Sequence, residues 1–183
     1  MLTLIMDLGQ EPFAEIVARL KVLEDERDLR RLLAQYAFYA DTGRSRDWVA
    51  LFTADGAIDL GDTVHSMSGA AAPDGYPSRA RFVGHEALLL DFITALPHRR
   101  VERRSAHHTT SGPITFDIDG DDAIAVGYSV LIARDPDGFH VEMAAFNRWT
   151  FRCESGRWLI AERKMRPIGS AEAIGILEGS SGE

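Results

Sequence analysis

A chain of 183 residues with 45% hydrophobic content is long enough to bury the core of one domain, and it is read as a single domain over 1–183. A formal charge of −8 argues against general nucleic-acid binding and against an anionic membrane surface. The only cysteine, Cys153, leaves no disulfide framework and no thiolate metal cluster, which fits a reducing cytoplasm.

The opening Met1 to Met6 has neither the basic start nor the length of a signal peptide. No stretch approaches the ~20 apolar residues of a membrane helix. The expectation is a soluble, cytoplasmic protein. Pro12 to about Ala40 carries a helical pattern, as one bent helix or two. Phe13, Ile16, Val17, Leu20 and Leu23 form a first apolar stripe, and Leu29, Leu32, Leu33, Tyr36 and Ala40 a second. Asp41 follows directly, and Gly43 supplies a left-handed helix stop. A carboxylate in that last turn faces the negative end of the helix dipole, which raises its pKa and makes it a better base once ionised. Asp47 is placed to cap a second short helix whose Trp48, Leu51 and Phe52 face inward.

A short strand is expected over Gly56 to Leu60 with a turn at Gly61-Asp62, then a long loop over 66–79. Arg81 to Gly84 leads into a helix from about His85 to Leu96, ended by Pro97. The basic run His98 to Arg104 reads as a solvated loop or strand entry.

From Arg104 the pattern alternates every two residues. Asp119-Gly120, Asp135-Pro136-Asp137-Gly138 and Ser155-Gly156 mark turns between four strands. Ile124, Val126, Tyr128, Val130 and Ile132 share one face of the longest early strand. The tail 169–183 is small and polar and is expected to be loosely held, leaving a core of about 24–168. Helices followed by an antiparallel meander give an α+β fold, a cone of N-terminal helices packed on a curved, mainly antiparallel sheet with a ligand-sized mouth.

Tyr36-x4-Asp41-x6-Trp48-x2-Leu51-Phe52-x2-Asp55, then Arg104-x2-His107-His108, then a meander ending Gly156-x-Trp158, resembles the SnoaL-like branch of the nuclear transport factor 2-like superfamily. The resemblance covers roughly residues 24–168 and implies the cone-shaped fold. This superfold hosts isomerases, cyclases, dehydratases and inert binding modules, so the chemistry rests on the site. In site layout the chain is similar to scytalone dehydratase, bile acid 7α-dehydratase and hexachlorocyclohexane dehydrochlorinase. The resemblance implies an Asp41–His107 pair, Arg163 five residues after Trp158, and Tyr36 five residues before Asp41. Relatives commonly carry Asn shortly after the histidine, where this chain has Ser111 and Gly112.

An Asp–His pair removes protons well, because the carboxylate fixes the ring tautomer and stabilises the imidazolium. Tyr36 would protonate a departing group, and Arg163 would neutralise an enolate or a leaving anion. The expected activity is a lyase of the dehydratase type that needs neither cofactor nor metal. It would act on a mostly apolar cyclic small molecule. Trp48, His108, Val130, Met143 and Phe146 are the expected substrate-binding residues.

Alternatives stay open. Tyr36 also fits a core tyrosine, and Arg163 a buried ion pair. His108 shares parity with Ile114 and Phe116, so His107 reaches the pocket only through a kink near Gly112-Pro113. A lone-Asp41 isomerase or cyclase and a non-catalytic binding module are the rival functions. By resemblance the chain is expected to be a homo-oligomer, a dimer or trimer, with Arg148, Trp149 and Thr150 on a sheet surface open to pairing.

Overall fold

The computed structural model describes residues 10–61, 81–93, 105–109, 114–170 and 172–178. A single helix, α1 (Gln10–Asp41), carries both apolar stripes. A short helix, α2 (Ser45–Val49), leads into strand β1 (Phe52–Asp59). A three-residue strand, β2 (Arg81–Val83), comes before α3 (Gly84–Ala87), which widens into a π-helical turn over Leu88–Ile93. The remaining strands are β3 (Ser105–Thr109), β4 (Thr115–Asp119), β5 (Asp122–Asp135), β6 (Gly138–Glu154) and β7 (Arg157–Pro167), followed by α4 (Ala173–Glu178). The expected loop over 66–79 and basic run 98–104 lie outside the described residues.

The strand order is β2-β1-β7-β6-β5-β3, with β4 also pairing β5. Among the described residues every pairing is antiparallel except β1 with β7, which is parallel. The architecture is therefore an N-terminal helix packed on a mixed, mostly antiparallel sheet that does not close on itself. The two-residue alternation from Ile114 onward delivers the meander, and Gly120 takes the positive φ of 58° that its hairpin turn requires.

Three expectations need correction. Asp47 does not cap α2; it lies within the helix and its carboxylate accepts from Arg44 Nε at 2.7 Å. Sequence spacing is blind to this choice, because an acid in the first turn favours the dipole whether or not it caps. β1 begins at Phe52, four residues before the expected strand. Gly56 permits this: a Cβ there would lie 2.8 Å from Phe52 Cβ and 3.0 Å from the Ile160 carbonyl. The tail is not uniformly loose, because α4 buries Ala173 and Ile176. Arg166 holds it there by bonding Glu172 of the tail and Asp59 of β1.

The inner face of the sheet is set by the odd-numbered residues of β5 and β6. Ala123, Ala125, Ser129 and Leu131 are buried on β5, and Met143, Ala145, Asn147, Trp149 and Phe151 on β6. β7 changes parity part-way. Thr150 pairs Glu162 but Phe151 pairs Ile160, so Ala161 is an extra residue in the ladder. Trp158 and Ile160 are buried before this bulge, and Arg163 and Met165 after it. Without the bulge Arg163 would face away from the core.

Candidate active site

Helix α1 ends where the candidate site residues begin. Gly43, at φ 70°, lets the Arg44 N–H reach the Tyr39 carbonyl at 2.9 Å while its own N–H reaches that of Ala40 at 3.3 Å. The Arg44 guanidinium lies over the Tyr39 ring and seals this stop. Asp41 is the last helical residue and is partly buried. One turn earlier, Tyr36 is fully buried among Trp48, Phe52 and Trp149, with ring centroids 5.0–6.1 Å away.

Arg163 lies opposite Tyr36 and is 2% exposed. Its Nη1 donates to the Tyr36 hydroxyl at 2.6 Å and its Nε to Asn147 Oδ1 at 2.9 Å. Nη2 has longer contacts, 3.4 Å to Ser129 Oγ and 3.5 Å to Met165 Sδ. Asn147 Nδ2 in turn donates to Ser129 Oγ at 2.9 Å, which fixes the amide with its oxygen toward the guanidinium. The cation also rests against the Trp149 and Tyr36 rings, 4.9 Å and 5.2 Å from their centroids. Burial raises the Tyr36 pKa, and the Arg163 charge and hydrogen bond oppose that rise.

All of these partners are neutral. Arg166, three residues on and also buried, pairs with the carboxylates of Asp59 and Glu172. Among the described residues Arg163 has no such partner.

The expected site residues divide between the two faces. Tyr36, Arg163, Trp48 and Met143 are buried on the inner side, and Trp48 Nε1 has no hydrogen-bond partner there among the described residues. Val130 and Phe146 belong to the outer face, where the Phe146 ring meets Tyr128 at 4.9 Å. The expectation failed because β5 turns its small residues inward to admit the aromatic core and carries its larger aliphatic residues outside. Trp149 also differs from expectation, being an inner-face residue rather than part of an open sheet surface.

On β3, His107 occupies the register position opposite Leu131, and His108 that opposite Val130. From Thr109 to Thr115 the chain advances six residues while its partner positions on β5 move three, from Ser129 to Val126. Parity therefore switches between β3 and β4, in an interval outside the described residues. Asn147 and Ser129 were missed from sequence. The available signal was their polarity inside otherwise apolar or small inward sets, Met143-Ala145-Asn147-Trp149-Phe151 above all. Among the described residues no three His, Cys, Asp or Glu side chains are grouped to hold a metal. Nor is any helix there long and apolar enough to cross a membrane.

Comparison with known proteins agrees with this architecture. A SnoaL-like domain family matches residues 21–164. The chain belongs to the SnoaL-like domain family. No curated protein matches it. Among solved structures, it is similar to an NTF2-like protein with a cystatin-like fold from Novosphingobium aromaticivorans. The two are 29% identical over 88% of this chain and 94% of that one, with a TM-score of 0.73. A candidate scytalone dehydratase from the same species is 17% identical over 82% and 97% of the two chains, TM-score 0.59. A Catenulispora acidiphila protein in complex with S-DNPA is 19% identical over 79% and 94%, TM-score 0.60. At such identities the last two speak for the fold alone.

Proposed function

We propose that this SnoaL-like protein is a cofactor-independent lyase that eliminates water or halide from a mostly apolar cyclic small molecule. The observation that carries this reading is Arg163, a buried guanidinium held among the described residues by neutral groups alone, beside a buried phenol. A fixed positive charge in a water-poor site stabilises negative charge that develops during reaction far better than it would in water. An enolate or a departing anion is such a charge.

Asp41 and His107 form the base in this proposal. Two positions paired across an antiparallel ladder share a face, and Leu131 opposite His107 is an inner-face residue, which supports His107 over His108. Neutral imidazole takes the proton from carbon, the freed pair forms the double bond, and the leaving group departs with its own electron pair. Tyr36 accepts a hydrogen bond from Arg163 and serves in this proposal as the acid that protonates a leaving hydroxide. Trp48 and Met143 contribute apolar wall on the same side.

The test is a screen of hydroxylated and halogenated cyclic compounds for elimination, followed by Asp41→Asn, His107→Ala and the double variant. If the two residues act as one base, each single change removes most turnover and the double is little worse. Rate also falls as pH drops through the histidine's own pKa, while substrate affinity changes less than rate. An active His107→Ala beside a dead Asp41→Asn would replace the pair with a lone-carboxylate isomerase.

A further inference from the structure

The two apolar stripes of α1 do not lie on one face. At 3.6 residues per turn, the stripe of Phe13, Ile16, Val17, Leu20 and Leu23 is centred about 180° from that of Leu29, Leu32, Leu33, Tyr36 and Ala40. The second stripe is buried against the sheet. The first points away from it, and each residue from Phe13 to Glu24 is exposed. Phe13 is 69% exposed, Ile16 60%, Leu20 53% and Leu23 64%. The N-terminal part of α1 therefore extends past the domain, with an apolar seam that nothing among the described residues covers.

We infer that this seam is a pairing surface for the same seam of a second copy, so that the protein self-associates through the N-terminal part of α1. Phe13, Ile16, Leu20 and Leu23 follow steps of three, four and three, the spacing with which two helices interlock along a narrow seam. The charges flanking it, Glu15, Arg19, Lys21 and Glu24, cancel, so two copies meet without net repulsion. A helix seated on an anionic bilayer would instead carry an excess of Lys and Arg on its polar face.

The area fits a modest dimer. A fully buried aliphatic side chain removes roughly 60–120 Å² from water, so five partly exposed side chains on each of two copies supply on the order of 600 Å² of apolar surface. That is about the apolar share of a ~1,000 Å² interface, the lower bound of specific association. The pairing is therefore reversible and concentration-dependent. It also accounts for helix outside the domain, since a short stretch of free helix is marginal in water.

The test is sedimentation of the full chain across a dilution series, alongside Ile16→Glu/Leu20→Glu and a sheet-face control, Tyr128→Glu. The expected result is a dimer that dissociates on dilution in the native chain and in the control. The double variant should stay monomeric at every concentration and lose helical circular dichroism, with an unchanged unfolding midpoint because neither side chain is in the core. A native chain that is monomeric throughout overturns the inference, whether the seam then takes a vesicle, another protein or another part of the chain. So does a double variant that still dimerises, or loss of the dimer only in Tyr128→Glu.

Discussion

Arg163 Nη1 donates to the Tyr36 hydroxyl at 2.6 Å, joining the end of the first helix to the last strand across 127 positions of sequence. Burial raises the phenol's pKa, and the neighbouring cation only partly opposes it. The sign follows. Tyr36 is one of four tyrosines, and it holds its proton in the fold at a pH where an exposed phenol has lost it. The unfolded chain then binds fewer protons than the native one, so stability falls as pH rises above about 10, the ordinary phenol value. Tyrosinate absorbance during an alkaline titration should show one phenol ionising only with unfolding, and Tyr36→Phe should abolish that late step.

Replacing Asn147 with Asp supplies a carboxylate that Arg163 does not have among the described residues. Asn147 Oδ1 already lies 2.9 Å from Nε, so Asn147→Asp forms a buried ion pair with little rearrangement. The expected outcome is a fold at least as resistant to denaturant as the native one and, on the proposed mechanism, a loss of turnover of about tenfold or more, since the guanidinium charge would already be neutralised. Urea melts together with a turnover assay check this. A variant that keeps full activity would assign Arg163 a purely structural role.

Deleting Ala161 removes the bulge that resets the parity of β7. Because Ala161 is the extra residue, Glu162 then follows Ile160 directly opposite Thr150, and Arg163 and Met165 keep facing inward. The deletion variant should therefore fold, whereas inserting one residue between Glu162 and Arg163, which turns Arg163 and Met165 outward and brings Lys164 in unpaired, should fail to fold. Circular dichroism and solubility distinguish the two.

Trp158 Nε1 donates to Asp25 Oδ1 at 2.9 Å and pins α1 to the start of β7. Asp25→Ala leaves that buried N–H unpaired and should cost about 1–3 kcal/mol. Asp25→Asn, which keeps an acceptor oxygen, should recover most of the loss. Denaturant midpoints for the two variants make the comparison.

The strands from Thr115 onward were legible because Asp119-Gly120 and Ser155-Gly156 fix the turns and period-two alternation fixes the strands between them. Which face of those strands was inward was not legible. Ile124, Val130 and Ile132 make the outer face of β5 look like the core, while Ala123, Ala125 and Ser129 face inward beside bulkier residues from elsewhere. Tyr36 and Arg163 entered as candidates through the family resemblance, by their places relative to Asp41 and Trp158. Asn147 and Ser129 were missed because a hydrogen-bond partner is chosen by three-dimensional approach, and the bulge at Ala161 that makes this approach has no residue signature. A stripe of apolar residues likewise announces burial without saying against what. That is why the stripe from Phe13 to Leu23 did not by itself say whether it would be buried, and it is exposed.

The parallel pairing of β1 with β7 has a consequence for how the protein is made. Phe52 pairs with Ile160, and the Ile160 N–H reaches the Leu51 carbonyl at 2.8 Å, so the N-terminal third of the chain is tied to a segment near its C-terminus. On the ribosome, Leu29, Leu33, Tyr36 and Phe52 emerge long before the strand that covers them is synthesised. Such distant contacts close slowly, and the waiting surface is open to aggregation. Tyr36 and Arg163 likewise meet only once β7 has been translated. Truncation within β7 therefore yields no partly active protein, and chaperone dependence should be greatest while the chain is still being elongated.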